Sequence, residues 1–407
     1  MLHLRLNARV IATANTRPVL DEMGRAGTPP AESFLARTDM VAVALENVAG
    51  PEAQVLKRAM LEAGGDASAS PRPSDYGADT CNVVLIGSRN QFRALLDRLA
   101  GAPAAAAAIG QEVRRALDAH GRTHFTIRMG SRRLAVGPQP AVMGIVNVTP
   151  DSFSDGGLCL ESHSAVAHAQ RLVAEGADII DVGGESTRPG SDPVPEDEEL
   201  ARVLPVVETL ASRVDVAISI DTCHARVARE AVAAGACLVN DVTGLRGDPD
   251  MAAVVAETGA GVAIMHMLGH PKTMQDHPHY DHLMADICRY LRHGMQAAVD
   301  AGVPEDSILV DPGIGFGKTV DHNLEILARL GQLRTLGVPI LVGPSRKRFI
   351  GEVAGVEAPS ERTYGTAAAC CLAQAAGALV LRVHDVREVR QALTVAAAIA
   401  QVDENAS

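Results

Sequence analysis

Residues 216–241 read "VAISIDTCHARVAREAVAAGACLVND". "VAISI" is a short β-branched run, "ARVAREAVAAG" (225–235) is a periodic segment that stops at Gly235, and "CLVND" (237–241) is a second apolar run ending on polar residues. Glycine ends a helix at low cost because it enters the left-handed region without a Cβ clash. The stretch is therefore one strand–helix–strand unit, and it recurs on both sides. From Ala141 the strand candidates run "VMGIV", "DIIDV", "VAISI", "CLVND", "VAIMH", "SILVD", "PILVG" and "ALVLRV". Between them lie "AVAHAQRLVAEG", "MAAVVAETG", "LMADICRYLRHGMQAAVDAG" and "RTYGTAAACCLAQAAG", each stopping at glycine. Eight β-runs each followed by a helix predict an α/β protein with a (β/α)8 TIM barrel. A doubly wound open sheet would show an early glycine-rich dinucleotide turn, and the sequence has none.

Upstream, residues 1–120 read as a smaller N-terminal α/β domain of unassigned role, and 121–405 as the barrel domain. "MVAVALENV" and "NVVLIG" are strand candidates; "PEAQVLKRAMLEAGG", "SRNQFRALLDRLAG" and "PAAAAAIGQEVRRALDAHG" are helix candidates; "ASASPRPSDYG" reads as a loop. "TIRMGSRRLAVG" predicts a hairpin turning at Gly130-Ser131. The opening "MLHLRLNARV" alternates like a strand and lacks the apolar core of a secretory signal.

The chain of 407 residues has 47% hydrophobic residues, no tryptophan and a net charge of −12. That balance argues against a general nucleic-acid binder, whose affinity rests on basic contacts to phosphates. It leaves room for an anionic small substrate in a locally basic pocket. Seven cysteines without a C-x-x-C pair disfavour a disulfide framework and a structural zinc site. The longest apolar stretch is broken by Gln374 and Gly377, so no membrane span is expected. A cytoplasmic location is the expectation.

In such barrels the active site lies at the C-terminal ends of the strands. Those ends supply Asn147, then Glu185 and Thr187, Asp221, Asn240 and Asp241, His266, Asp311, Ser345 with Arg346 and Lys347, and finally Arg382, His384 and Asp385. Asp221, Asn240 and Asp311 offer acceptors suited to a flat, guanidine-like edge. Lys347, Arg382 and His384 come from the last two strands, where these barrels often bind phosphate. A nitrogen heterocycle carrying a diphosphate would fit such a mouth. Internal salt bridges among the same groups would use it equally, and both readings stay open here. Asp385, before "VREVRQAL", reads as a helix cap. The loops "NVTPDSFSDGG" and "GGESTRPGSDPVP" have the composition of lids. "DPGIGFGKT" (311–319) approaches a phosphate-binding loop, but Pro312 stands where the first glycine should be and removes an N–H. Its Lys318 reads as a surface cation, the histidine-rich run from His266 to His282 as solvated loop, and Cys223 as a structural thiol whose place at a helix start would lower its pKa.

The motifs "MGIVNVTPDSFSDGG", "GADIIDVGGESTRPGS", "ISIDT", "VNDVTG", "MHMLGHPKTMQ", "DPGIGFGKT", "GPSRKRFIG" and "RVHDV" occur in this order over residues 141–386. Together they closely resemble the dihydropteroate synthases. The resemblance implies condensation of (7,8-dihydropterin-6-yl)methyl diphosphate with 4-aminobenzoate, giving 7,8-dihydropteroate and diphosphate, with Mg2+ accompanying the diphosphate. It implies pterin binding by Asp221, Asn240, Asp311, Lys347 and Arg382, and diphosphate contacts from Asn147, Arg188, Arg382 and His384, with Asn147 also at the metal. Phe153, Thr187, Pro189 and Ser345 would meet the aminobenzoate. Lys347, Arg382, Asp221 and Asp155 would carry catalysis. It further implies small-molecule substrates, sensitivity to sulfonamides, no nucleic-acid or membrane partner, and a homodimer. A methyltetrahydrofolate–corrinoid methyltransferase shares the barrel type but holds no diphosphate, which "GPSRK" and "RVHD" disfavour. A non-catalytic pterin-binding protein and a synthase using another arylamine are the remaining alternatives.

Overall fold

The computed structural model describes residues 40–69, 80–148, 157–185, 194–269 and 273–402. They form two compact units divided between Asp118 and Ala119.

The first unit contains β1 (Met40–Ala49), α1 (Gly50–Glu62), β2 (Asp66–Ala69), β3 (Thr80–Ser88), α2 (Arg89–Ala100) and most of α3 (Ala104–Gly121). Its antiparallel sheet has the order β1-β3-β2. Leu56 and Met60 of α1, Val83 and Leu85 of β3, and Phe92, Leu95 and Leu99 of α2 are fully buried together. Ser88 starts α2 with a capping box, its Oγ accepting from the Gln91 N–H while the Gln91 side chain accepts from the Ser88 N–H. β2 departs from the loop expected there. Asp-Ala-Ser-Ala has little strand propensity of its own, and pairing with β3 in the register Asp66↔Ile86 makes it a strand.

The second unit is the expected barrel. Its strands are β6 (Ala141–Asn147), β7 (Ile179–Gly183), β8 (Ala217–Asp221), β9 (Leu238–Asp241), β10 (Gly261–Met265), β11 (Ile308–Asp311), β12 (Ile340–Val342) and β13 (Ala378–Val383). They are parallel and closed in sequence order, β13 returning to β6 with Arg382 opposite Met143. The helices between them are α4 (Gly157–Ala174), α5 (Glu196–Arg213), α6 (Ala225–Ala233), α7 (Met251–Thr258), α8 (Leu283–Asp300), α9 (Val320–Ala328), α10 (Arg348–Ala354) and α11 (Thr363–Ala375), and α12 (Val386–Gln401) follows the last strand.

The barrel strands are buried on both faces, which is why they read as continuous apolar runs. Side chains alternate across the sheet with a period of two. Val142, Ile180, Ile218, Val239, Ile264 and Val310 belong to the core shared with the helices. Their neighbours Met143, Ile179, Ala217, Leu238, Ala263, Leu309 and Leu341 form a separate inner core. Ile127, Met129 and Val136 of the hairpin β4 (Phe125–Met129) and β5 (Arg132–Val136) belong to the same inner cluster, so the hairpin plugs the N-terminal end of the barrel. Gly130 sits at φ 61° in its two-residue turn and donates its N–H to the Gly259 carbonyl at 2.9 Å. With that end closed by apolar packing, the polar ends of the inward-facing rows are left for the other mouth.

Candidate active site

The alternation that sends Ile179, Ala217, Leu238, Leu309 and Val380 inward also sends in Asp181, Asp221, Asn240, Asp311 and Arg382. All five side chains belong to one rim. Arg382 donates from Nε to Asp181 Oδ2 and from Nη2 to Asp221 Oδ2, each at 2.6 Å. Asn240 Nδ2 donates to the same Asp181 Oδ2 at 3.1 Å. Two buried carboxylates thus share one guanidinium, and one negative charge is left uncompensated. Burial above all, with the Asp181 charge beside it, pushes Asp221 up to about 7 against the opposing pull of Arg382. Asp181 Oδ1 and Asp221 Oδ1 are buried and have no hydrogen-bond partner among the described residues. Buried acceptors of this kind cost free energy unless something donates to them, so both oxygens are open to a donor. The salt bridges of the first reading are present: Arg382 neutralises one of the two carboxylates and leaves two oxygens without a partner among the described residues.

After β11 the chain turns tightly. Asp311 Oδ1 accepts from the Gly313 N–H at 2.6 Å, while burial raises its carboxyl to about 6. Gly313 adopts φ 68°, and a Cβ there would lie 2.0 Å from the His266 carbonyl oxygen, so the close approach of this turn to β10 needs glycine. Lys318 ends the turn and corrects the expectation of a surface cation. It is 3% exposed, and its Nζ meets His266 Nδ1 at 2.9 Å and the carbonyls of Phe316 and His266 at 2.9 and 3.4 Å. Burial brings its pKa down to about 7 and that of His266 to about 2. A neutral His266 ring accepts at Nδ1 from the ammonium. His266 is consequently a core group, unlike the solvated loop histidine expected. Phe316 lies in a buried apolar cluster with Val242, Met265, Met267 and Met274.

The loops after β12 and β13 interlock. Arg346 has φ 58°, a conformation rare outside glycine. It is held by two bonds to Asp385, by its N–H donating to Thr366 Oγ1, and by Arg362 donating to its carbonyl. Strain of this kind persists where the surroundings over-determine it. It aims the next residue, Lys347, whose Nζ stands 4.2 Å from the centre of the Phe316 ring. Asp385 is therefore an ion-pair partner of Arg346 and makes no side-chain cap for α12. Ser345 Oγ accepts from the His384 N–H at 3.1 Å and lies 3.0 Å from its Nδ1. Burial, then the Arg346 and Arg382 charges, lower His384 to about 3. It is neutral at the mouth, so among the described residues the cationic side consists of Lys347 and Arg382.

Of the sequence-derived site residues, Asp221, Asn240, Asp311, Lys347, Arg382, Ser345 and His384 lie at this mouth, and Asn147 ends β6 opposite Gly183. Phe153, Asp155, Thr187, Arg188 and Pro189 lie outside the described residues. Asp181 was missed, because only strand ends were read for polar groups. The period-two rule applied to "DIIDV" from Ile179 would have placed it inward. A cavity of about 190 Å³ lined by Phe125, Pro138, Arg334, Val338, Gln374 and Leu379 is at the opposite end of the barrel, near the hairpin. It has no part in this site.

Fold and rim define a (β/α)8 protein of the pterin-binding type, and comparison with known proteins agrees. The pattern of the family described as pterin binding enzyme matches residues 143–384. The dihydropteroate synthase of Escherichia coli (strain K12) is 47% identical over 266 residues, covering 65% of this chain and 94% of that protein. A probable bifunctional folylpolyglutamate synthase/dihydropteroate synthase of Halobacterium salinarum is 42% identical over 373 residues, 91% of this chain and 44% of that protein. The solved structure of Xanthomonas albilineans dihydropteroate synthase with 4-aminobenzoic acid has 48% identity and a TM-score of 0.64, covering 68% of this chain and 99% of that one. The chain belongs to the pterin-binding enzyme family, among the dihydropteroate synthases.

Proposed function

We propose that the barrel, residues 121–405, condenses (7,8-dihydropterin-6-yl)methyl diphosphate with 4-aminobenzoate to 7,8-dihydropteroate and diphosphate, a step of folate biosynthesis. The observation that carries the reading is the pair of buried oxygens on Asp181 and Asp221, beside Arg382, that have no partner among the described residues. A pterin's amino-pyrimidine edge offers N–H donors in one plane, which those oxygens, Asn240 and Asp311 accept. Lys347 donates to the ring's oxygen and nitrogen acceptors, and Arg382 stacks on the ring.

The bond from the 6-methylene carbon to diphosphate breaks heterolytically, and diphosphate leaves with the electron pair. The resulting cation is conjugated with the electron-rich ring, and the fixed carboxylates of the mouth stabilise it electrostatically. The aminobenzoate nitrogen donates its lone pair to the methylene carbon, and the proton it loses passes to the departing diphosphate or to water. Positioning of a weak nucleophile supplies most of what this step needs. Ser345 meets the aminobenzoate carboxylate, with Phe153, Thr187 and Pro189 closing over the ring. Arg188, Arg382 and neutral His384 contact the diphosphate, and Asp155 serves the diphosphate end or the developing cation.

Asn147 would offer Mg2+ a hard, neutral amide oxygen, a donor of the kind that ion takes. The ion would supply charge neutralisation of the leaving group. Residues 1–120, the N-terminal extension of unassigned role, supply none of the residues named above. A homodimer is supported by the apolar side chains Leu372 on α11 and Val395 and Ile399 on α12, which are 67%, 61% and 68% exposed. A cytoplasmic location is consistent with cysteines that form no disulfide among the described residues, where no helix is long and apolar enough to cross a membrane.

The test is turnover of pterin diphosphate and 4-aminobenzoate with Mg2+, following pteroate and diphosphate release. Lys347→Ala is expected to abolish product while keeping the melting temperature. Near-normal turnover in that variant overturns the site assignment, and turnover only with another arylamine overturns the substrate.

A further inference from the structure

Beside the substrate mouth, the ends of β7 and β8 bring together a second set of chemically distinct groups. Glu185 follows β7, and Cys223 and His224 follow β8. One ligand atom from each of the three lies within 4.8 Å of those of the other two. All three are partly exposed, so a solute can reach them. Behind them stands Glu199 of α5, a fully buried carboxylate. Its Oε2 is 2.7 Å from His224 Nδ1, and its Oε1 has no hydrogen-bond partner among the described residues.

We propose that Glu185, Cys223 and His224 form a binding site for a divalent transition-metal ion of the zinc class, separate from the Mg2+ at Asn147. The donor set decides the class. One thiolate, one imidazole and one carboxylate suit Zn2+ or Co2+, whereas Mg2+ and Ca2+ take oxygen ligands. With Nδ1 committed to Glu199, the ring nitrogen left for the ion is Nε2. A buried carboxylate behind a ligating histidine fixes its tautomer and raises its basicity, the usual support of a metal-bound imidazole. Glu199 gives the arrangement a reason to exist: a buried acid with one unsatisfied oxygen is costly unless positive charge lies close by.

The geometry needs only a small closure. Bonds of about 2.0–2.3 Å in a tetrahedron place ligand atoms about 3.3–3.7 Å apart, against separations within 4.8 Å here, so binding would draw the three side chains together. The fourth position is open to water. Contrary to the low thiol pKa expected at a helix start, burial and the Glu185, Asp241, Glu199 and Asp221 charges push Cys223 up to about 12. The same negative surroundings attract a cation, and the thiol proton is released when it binds.

The test uses the full chain, stripped with chelator and titrated with Co2+, then with Zn2+ as competitor. The expected result is one thiolate-to-cobalt charge-transfer band saturating at one equivalent and displaced by Zn2+. Cys223→Ser should remove the band, and Glu199→Gln, which touches no metal, should weaken binding about 10- to 100-fold. Metal-free melting curves show that each variant is folded, and conservative Cys223→Ser keeps the test usable where Glu199→Gln destabilises. A thiolate band absent at millimolar Co2+, or unchanged in Cys223→Ser, overturns the site. Binding is read without turnover, so either outcome is independent of the synthase assay.

Discussion

Arg382 Nη2 and Asp221 Oδ2 meet at 2.6 Å across the barrel mouth, joining β13 to β8 over 161 positions of sequence. Asp181 takes the same guanidinium at Nε. Removing the arginine strands two buried carboxylates. Arg382→Ala is expected to lose about 3–5 kcal/mol of stability, the usual result of breaking a buried ion pair by one partner, together with turnover. Urea denaturation and the synthase assay measure the two effects. An unchanged denaturation midpoint would mean that the triad contributes nothing to the fold.

Asp181 offers a subtler variant. Asp181→Asn keeps an oxygen for Arg382 and Asn240 but gives up the charge. It is expected to raise the KM for the pterin substrate about 10-fold or more, since a hydrogen bond to a charged group is worth about 1.5–3 kcal/mol. The KM for 4-aminobenzoate should move little. Equal changes in both would show that Asp181 acts on the whole mouth.

Asp311 carries a pH dependence whose sign can be worked out. Its carboxyl is raised from 3.8 to about 6 in the folded protein. The folded state therefore holds the proton more tightly than the unfolded state, and this group's stabilising contribution is lost as pH rises from about 4 through about 6. Asp311→Asn keeps the oxygen that accepts from Gly313 and never ionises. It should be more stable than the natural protein by about 1–3 kcal/mol above pH 7, with the gain vanishing below about pH 4. Pterin affinity should fall at the same time. Melting curves across pH and pterin titration check the two, and a gain that grows on acidification would reverse the argument.

Lys318→Met replaces the buried ammonium by an apolar chain of similar length. The Phe316 and His266 carbonyls and His266 Nδ1 lose their shared donor, at about 1–3 kcal/mol for each group left unsatisfied. A clear drop in denaturation midpoint is expected, with a raised KM for pterin because the turn carrying Asp311 loosens. A surface lysine would show neither effect.

Ser345→Ala removes the hydroxyl that links to His384. The KM for 4-aminobenzoate should rise about 5- to 10-fold, matching one hydrogen bond of about 1 kcal/mol, with little change for pterin. Sulfonamides should compete with 4-aminobenzoate in the natural protein and weaken in parallel in the variant. Inhibition that is not competitive would place the sulfonamide elsewhere.

The barrel was legible because its signals are local. Strand runs such as "VAISI" and "CLVND" are apolar on both faces, and glycines such as Gly235 and Gly259 stop the helices where they stand. Asp221, Asn240, Asp311 and Arg382 could be read as rim groups for the same reason, since each stands at or beside the C-terminal end of an apolar strand run. β2 could not be read, because Asp66–Ala69 is a strand only through its pairing with β3.

Sequence alone determined the alternation of strands and helices and the family motifs, because propensity, period and glycine stops act over a few residues. Tertiary structure alone decided that Lys318 is buried, that His384 is neutral, that Asp181 and Asp221 divide one guanidinium, and that Glu199 stands behind His224. Those are matters of desolvation and of partner distance, and both arise only when closure of β13 on β6 brings remote strand ends within hydrogen-bonding reach.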